Sequence, residues 1–109
     1  MMTLIETIRR LKHAVSGRAD YVTYGGAILP PPMLRKCSPK FRDDEYFLQS
    51  AKRDAQILID DFGVGRASTI LDIGCGPGRL AIGILSVMEC DYTGVDVQLA
   101  SIRWCKRTR

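Results

Sequence analysis

Apolar residues recur at helical spacing near the start of the chain. Leu4, Ile8, Leu11 and Val15 fall at i, i+4, i+7 and i+11, which predicts an amphipathic helix from Leu4 to about Ser16. Thr3 with Glu6 three residues later fits a capping box, and Gly17 fits a left-handed stop. The period disappears from Arg18 to Pro39. There Gly25-Gly26 reads as a flexible break and Pro30-Pro31-Pro32 as a short extended segment, so this stretch is a linker or a surface cap. The period returns between about Asp43 and Phe62, where Phe47, Ala51, Ala55, Leu58 and Phe62 mark one helix face, with Leu48 and Ile59 beside it. Asp43, Asp44 and Glu45 place negative charge in the first turn, and Gly63 and Gly65 end the helix; the acidic run is read as a solvated cap. Residues 1–40 therefore form an N-terminal helix with a Gly/Pro-rich linker or cap, and residues 41–109 a second unit.

Beyond Gly65 the period changes from helical to extended. Ser68–Ile73 has the β-branched and aliphatic run of a buried parallel strand. Gly74-Cys75-Gly76-Pro77-Gly78 follows at once, then a run of helical length from Arg79 to Met88 with Gly83 as its one turn-forming residue. Tyr92–Val97 reads as a second short strand, and a further helix opens at Gln98, with Ile102 and Trp104 on it. Strand, glycine turn, helix and strand make a βαβ unit whose crossover is expected to be right-handed. The fold class is α/β: a parallel sheet with flanking helices, preceded by N-terminal helices and truncated after about two strands.

Charge and cysteine usage narrow the function classes. The 109 residues carry 16 Lys plus Arg and 12 Asp plus Glu, a net charge of +4, with 46% hydrophobic residues, as in a soluble globular chain. All of the excess charge is Arg103, Lys106, Arg107 and Arg109, so the first 102 residues are neutral. A nucleic-acid face would spread its cations over a surface, so nucleic acid is not the expected partner. No apolar stretch is long enough to span a bilayer, and Glu6, Arg9, Arg10 and Lys12 interrupt any secretory signal. Cys37, Cys75, Cys90 and Cys105 include no CxxC pair, and His13 is the sole histidine; free thiols in the cytoplasm, and no metal, are expected.

The glycine turn carries the candidate chemistry. Gly74 allows a sharp exit from the strand, Gly76 lets backbone approach a ligand, and Gly78 permits close contact as the helix begins. N–H groups at the helix start favour an anion. Asp96, 18 residues after Gly78, stands at the tip of the second strand, where a carboxylate can accept two hydrogen bonds from vicinal ribose hydroxyls. A dinucleotide fingerprint would need a third glycine where Arg79 stands. Asp72, two residues before Gly74, would repel a pyrophosphate but suits an ammonium group. Amino group, carboxylate and ribose together describe S-adenosylmethionine.

On these residues the chain resembles the class I S-adenosylmethionine-dependent methyltransferases. Asp72-Ile73-Gly74-Cys75-Gly76-Pro77-Gly78 is similar to their first motif, and Gly94-Val95-Asp96 to their acidic second motif. The resemblance covers about residues 68–105. It implies a Rossmann-like fold and a cofactor site in which the Asp72 region and the Gly74–Gly78 loop, Cys75 included, hold the methionyl end. Asp96 would bind the ribose hydroxyls and Val97 would pack on adenine. It further implies methyl transfer to an acceptor, expected to be a small molecule. No catalytic residue is assigned, because in this family the later strands supply substrate contacts. The remainder of the domain, or a partner chain, would complete the sheet, and the 109 residues alone would be inactive; a truncated sequence is the favoured reading. Two alternatives stand beside it: an NAD- or nucleotide-binding oxidoreductase, and a non-catalytic subunit that serves a partner chain.

Overall fold

A computed structural model describes residues 21–108; the helix expected over Leu4–Ser16 lies outside the described residues. The chain opens with an antiparallel hairpin of β1 (Val22–Tyr24) and β2 (Ala27–Leu29), paired Val22 to Leu29 and Tyr24 to Ala27. Gly25 and Gly26 take φ of +55° and +78°, the double left-handed pair of a two-residue hairpin turn. The expected flexible break is thus a tight turn. Pro31 is extended, but Pro32–Leu34 coils into a 3-10 turn, so the polyproline segment is shorter than expected. A second 3-10 turn spans Pro39–Arg42.

Helix α1 (Asp44–Phe62) starts where the Asp43 side chain accepts from the Tyr46 N–H at 2.8 Å and stops where Gly63 adopts φ +69°. Phe47, Leu48, Ser50, Ala51 and Ala55 are buried on it. The predicted apolar face fades toward the C-terminus: Leu58 and Ile59 are half-buried, and Phe62, expected on that face, is 74% exposed. The next elements are β3 (Thr69–Ile73), α2 (Arg79–Leu85), β4 (Asp91–Val95) and α3 (Leu99–Thr108). Helix α2 is shorter than the expected run to Met88. Ser86 caps it by donating to the Gly83 carbonyl at 2.7 Å, and the Val87 N–H turns back to the Ile84 carbonyl.

The α/β class holds in its coarse form: among the described residues there are three helices, an antiparallel hairpin and one parallel pair, β3 with β4, in the register Asp72 to Gly94 and Ile73 to Val95. Leu29, Phe47, Leu48, Ile82 and Trp104 make the core, so the hairpin, α1, α2 and α3 all contribute to it. On α3, Trp104 is fully buried and Cys105 half-buried. Helices α1 and α2 cross closely at Gly83, where an added Cβ would lie 2.1 Å from the Ala51 carbonyl oxygen. β3 departs from the buried strand expected of it. Its side chains alternate between half-buried and exposed, with Leu71 63% and Ile73 79% exposed, so one face of the parallel pair is uncovered. No helix among the described residues is long and apolar enough to cross a membrane.

Candidate functional site at the strand tips

The chain leaves β3 through Gly74 (φ +79°), Gly76 (φ +55°) and Gly78 (φ +84°), all in the left-handed region that favours glycine. Backbone bonds fix this loop to the end of β4. The Val95 carbonyl accepts from the N–H groups of both Gly74 (2.8 Å) and Cys75 (3.1 Å), and the Cys75 carbonyl accepts from Gly78 at 3.1 Å. A Cβ built on Gly74 or Gly76 would meet no atom within 4 Å, so the outer surface of the loop is open to an incoming molecule. Gly78 is tighter, with the Cys105 Sγ 3.3 Å from its would-be Cβ.

Asp96 joins the second strand to the loop. Its Oδ2 accepts from the Gly76 N–H at 2.7 Å and its Oδ1 from the Gln98 N–H at 2.6 Å. Those bonds, to Gln98 and then Gly76, hold the carboxyl below the usual carboxylate range, so it is ionised at neutral pH. Each carboxylate oxygen keeps a second acceptor direction for a ligand hydroxyl. Val97, next along, is 96% exposed. Anion capture by loop N–H groups is therefore not how this loop is wired: those of Gly74, Cys75, Gly76 and Gly78 all have acceptors within the chain, because the β4 tip and the turn itself supply them.

Asp72 stands opposite Gly94 in the parallel register, and its Oδ2 accepts from the Tyr92 hydroxyl. Burial, and then that bond, push the Tyr92 phenol up. Cys75 fills the space that Gly94 leaves: a Cβ on Gly94 would lie 2.8 Å from the Cys75 Sγ. Burial, with Cys105, Asp72 and Asp96 nearby, pushes the Cys75 thiol up to about 11, which suits a packed side chain and not a nucleophile. Arg79, where a dinucleotide fingerprint would have its third glycine, turns to α1. Its Nη1 bonds Asp54 Oδ2 at 2.8 Å and Ser50 Oγ at 3.3 Å on α1, and its guanidinium lies over the Phe41 ring.

Asp72, Gly74, Cys75, Gly76, Gly78, Asp96 and Val97 therefore cluster at the C-terminal ends of β3 and β4, where open parallel sheets bind ligands. Tyr92 belongs to the same cluster although the motif pattern does not mark it, and Gly94 of the second motif matters there for the room it leaves. Alternation along the strand puts Tyr92 on the same face as Gly94, but only the parallel register, which sets it beside Ile70, brings it diagonal to Asp72. Among the described residues no group of three or more His, Cys, Asp or Glu is placed to hold a metal ion. No protein-family model matches the chain, and no solved structure matches it.

Proposed function

We propose that this chain is the cofactor-binding portion of an S-adenosylmethionine-dependent methyltransferase with a Rossmann-like parallel sheet. The observation that supports the reading most is the Asp96–Gly76 bond, which brings the strand-tip acid and the glycine loop into one site. The residues present fit the cofactor: open space over Gly74 and Gly76, an ionised Asp96 with acceptor capacity left, and an exposed apolar Val97 beside it. When bound, the cofactor supplies a methyl group on a sulfonium for in-line displacement by the acceptor. The chain's own share is binding and orientation. Asp96 accepts from the ribose hydroxyls, Val97 covers one adenine face, and Asp72 with the glycine loop receives the methionyl end. The acceptor is proposed to be a small molecule and the compartment the cytoplasm. Further strands, from the rest of the domain or a partner chain, would flank β3 and β4, which among the described residues pair only with each other.

Calorimetric titration of S-adenosylmethionine and of NADH, separately, into the 109-residue chain tests the reading. Saturable binding of S-adenosylmethionine alone is expected, and preferential binding of NADH would overturn it. Asp96→Ala is expected to weaken S-adenosylmethionine binding roughly 10- to 100-fold, the range for lost hydrogen bonds to a charged group. Gly76→Val is expected to abolish binding, because it fills the open space and places a branched side chain at positive φ.

A further inference from the structure

We propose that Tyr92 is a positioning residue that fixes the Asp72 carboxylate for the amino group of the ligand; this rests on the methyltransferase reading above. The two side chains lie on one face of the parallel pair, Tyr92 beside Ile70 and Asp72 beside Gly94. Because position 94 is glycine, the neighbouring strand puts no side chain across from Asp72, and the Cys75 thiol fills the space over Gly94. The Tyr92 hydroxyl reaches it along the diagonal and donates to Oδ2. Both groups are half-buried, so the bond is shielded from competing water better than a surface pair would be. A phenol donating to one carboxylate oxygen locks the rotation of the carboxylate and leaves the other oxygen in a set direction.

The location gives that direction a use. Asp72 is the next-to-last residue of β3, and Gly74, two positions on, opens onto space that a Cβ would not share with any atom within 4 Å. A cationic group entering there meets a carboxylate whose orientation is already fixed, so less ordering is needed on binding. Tyr92 thereby bears on the amino-acid end of the ligand and not on its nucleoside end, which lies with Asp96 and Val97.

The test compares two ligands on the full 109-residue chain. S-adenosylmethionine carries the amino-acid end; 5′-deoxy-5′-methylthioadenosine has the adenine, ribose and thioether without it. Tyr92→Phe, which removes one hydroxyl, is expected to weaken S-adenosylmethionine about 5- to 10-fold, the net worth of one ordinary hydrogen bond, because Asp72 itself stays in place, and to leave methylthioadenosine within about twofold. In an Asp72→Asn background the same change is expected to have no further effect on either ligand. Spectrophotometric titration gives a readout that needs no ligand: Tyr24 and Tyr92 are both raised, and the last of the four tyrosines to ionise is expected to be Tyr92 and to move back toward the ordinary range in Asp72→Asn, Tyr24 staying where it is. Equal losses for both ligands, no loss for S-adenosylmethionine, or an unmoved tyrosine titration would each overturn the inference while the cofactor reading stands. A wild-type chain that binds neither ligand overturns the reading and the inference together.

Discussion

Asp96 accepts N–H bonds from Gln98 and Gly76, and both are strongest when the carboxyl is ionised. Its folded-state value lies below the ordinary 3.8, so its contribution is present above about pH 4 and is lost as pH falls through the lowered value. Chemical unfolding of wild type and Asp96→Asn across pH 2–7 is expected to show a stability gap at neutral pH that narrows at the acid end. The thiols give a second residue-scale test. With Cys75 held at about 11 by burial, only about one molecule in a thousand carries its thiolate at pH 8. Alkylation followed by peptide mass mapping is expected to label the exposed Cys37 well before Cys75. Arg35 is the strictest case. Its side chain is fully buried, donates to the carbonyls of Pro30, Phe41 and Arg42, pairs with Asp44 at 2.8 Å and lies over the Phe47 ring. Arg35→Met would leave those acceptors unmet, and a loss of about 3–5 kcal/mol in urea unfolding is expected.

At the scale of elements, α1 and α2 approach as closely as they do because position 83 carries no side chain. Gly83→Ala would drive a methyl group into the Ala51 carbonyl. Overpacking costs up to about 3 kcal/mol and better helix propensity returns about 1, so a net loss of about 2 kcal/mol is expected in the unfolding free energy from urea titration. The motif half of the chain was legible because its signals are local: Asp43 and Gly63 bound α1, and three glycines at positive φ define the loop. The hairpin was missed although Gly25-Gly26 between Val22–Tyr24 and Ala27–Leu29 is the composition of a two-residue turn; three-residue strands are too short to show alternation. Arg35 and Arg79 could not be placed because their partners, Asp44 and Asp54, belong to a helix whose acids read equally well as a solvated face. That the candidate residues gather at the strand tips was legible through motif spacing, but the bond of Tyr92 to Asp72 depends on strand register, which spacing within one strand does not give.

At the scale of the whole fold, burial among the described residues is uneven. The core gathers the hairpin and all three helices, while Leu71, Ile73 and Val95 on one face of the parallel pair, with Val97 beyond the strand end, are exposed at 63, 79, 43 and 96%. A parallel sheet is ordinarily covered on both faces, and contiguous exposed apolar surface favours association. Ile73→Lys is therefore expected to lower anilinonaphthalene sulfonate fluorescence and concentration-dependent light scattering. Its unfolding free energy should change by less than about 0.5 kcal/mol, because that side chain packs on little.

The Asp96–Gly76 bond spans 20 residues, and the Val95 carbonyl that receives Gly74 and Cys75 is as distant along the chain. Neither contact can form until α2 has been crossed and β4 has docked on β3, so the loop acquires its shape at the end of a non-local search. The glycine loop is thus an indicator of completed strand docking. A molecule that fits it would recognise only chains that have finished that step, and would draw the population toward them by mass action.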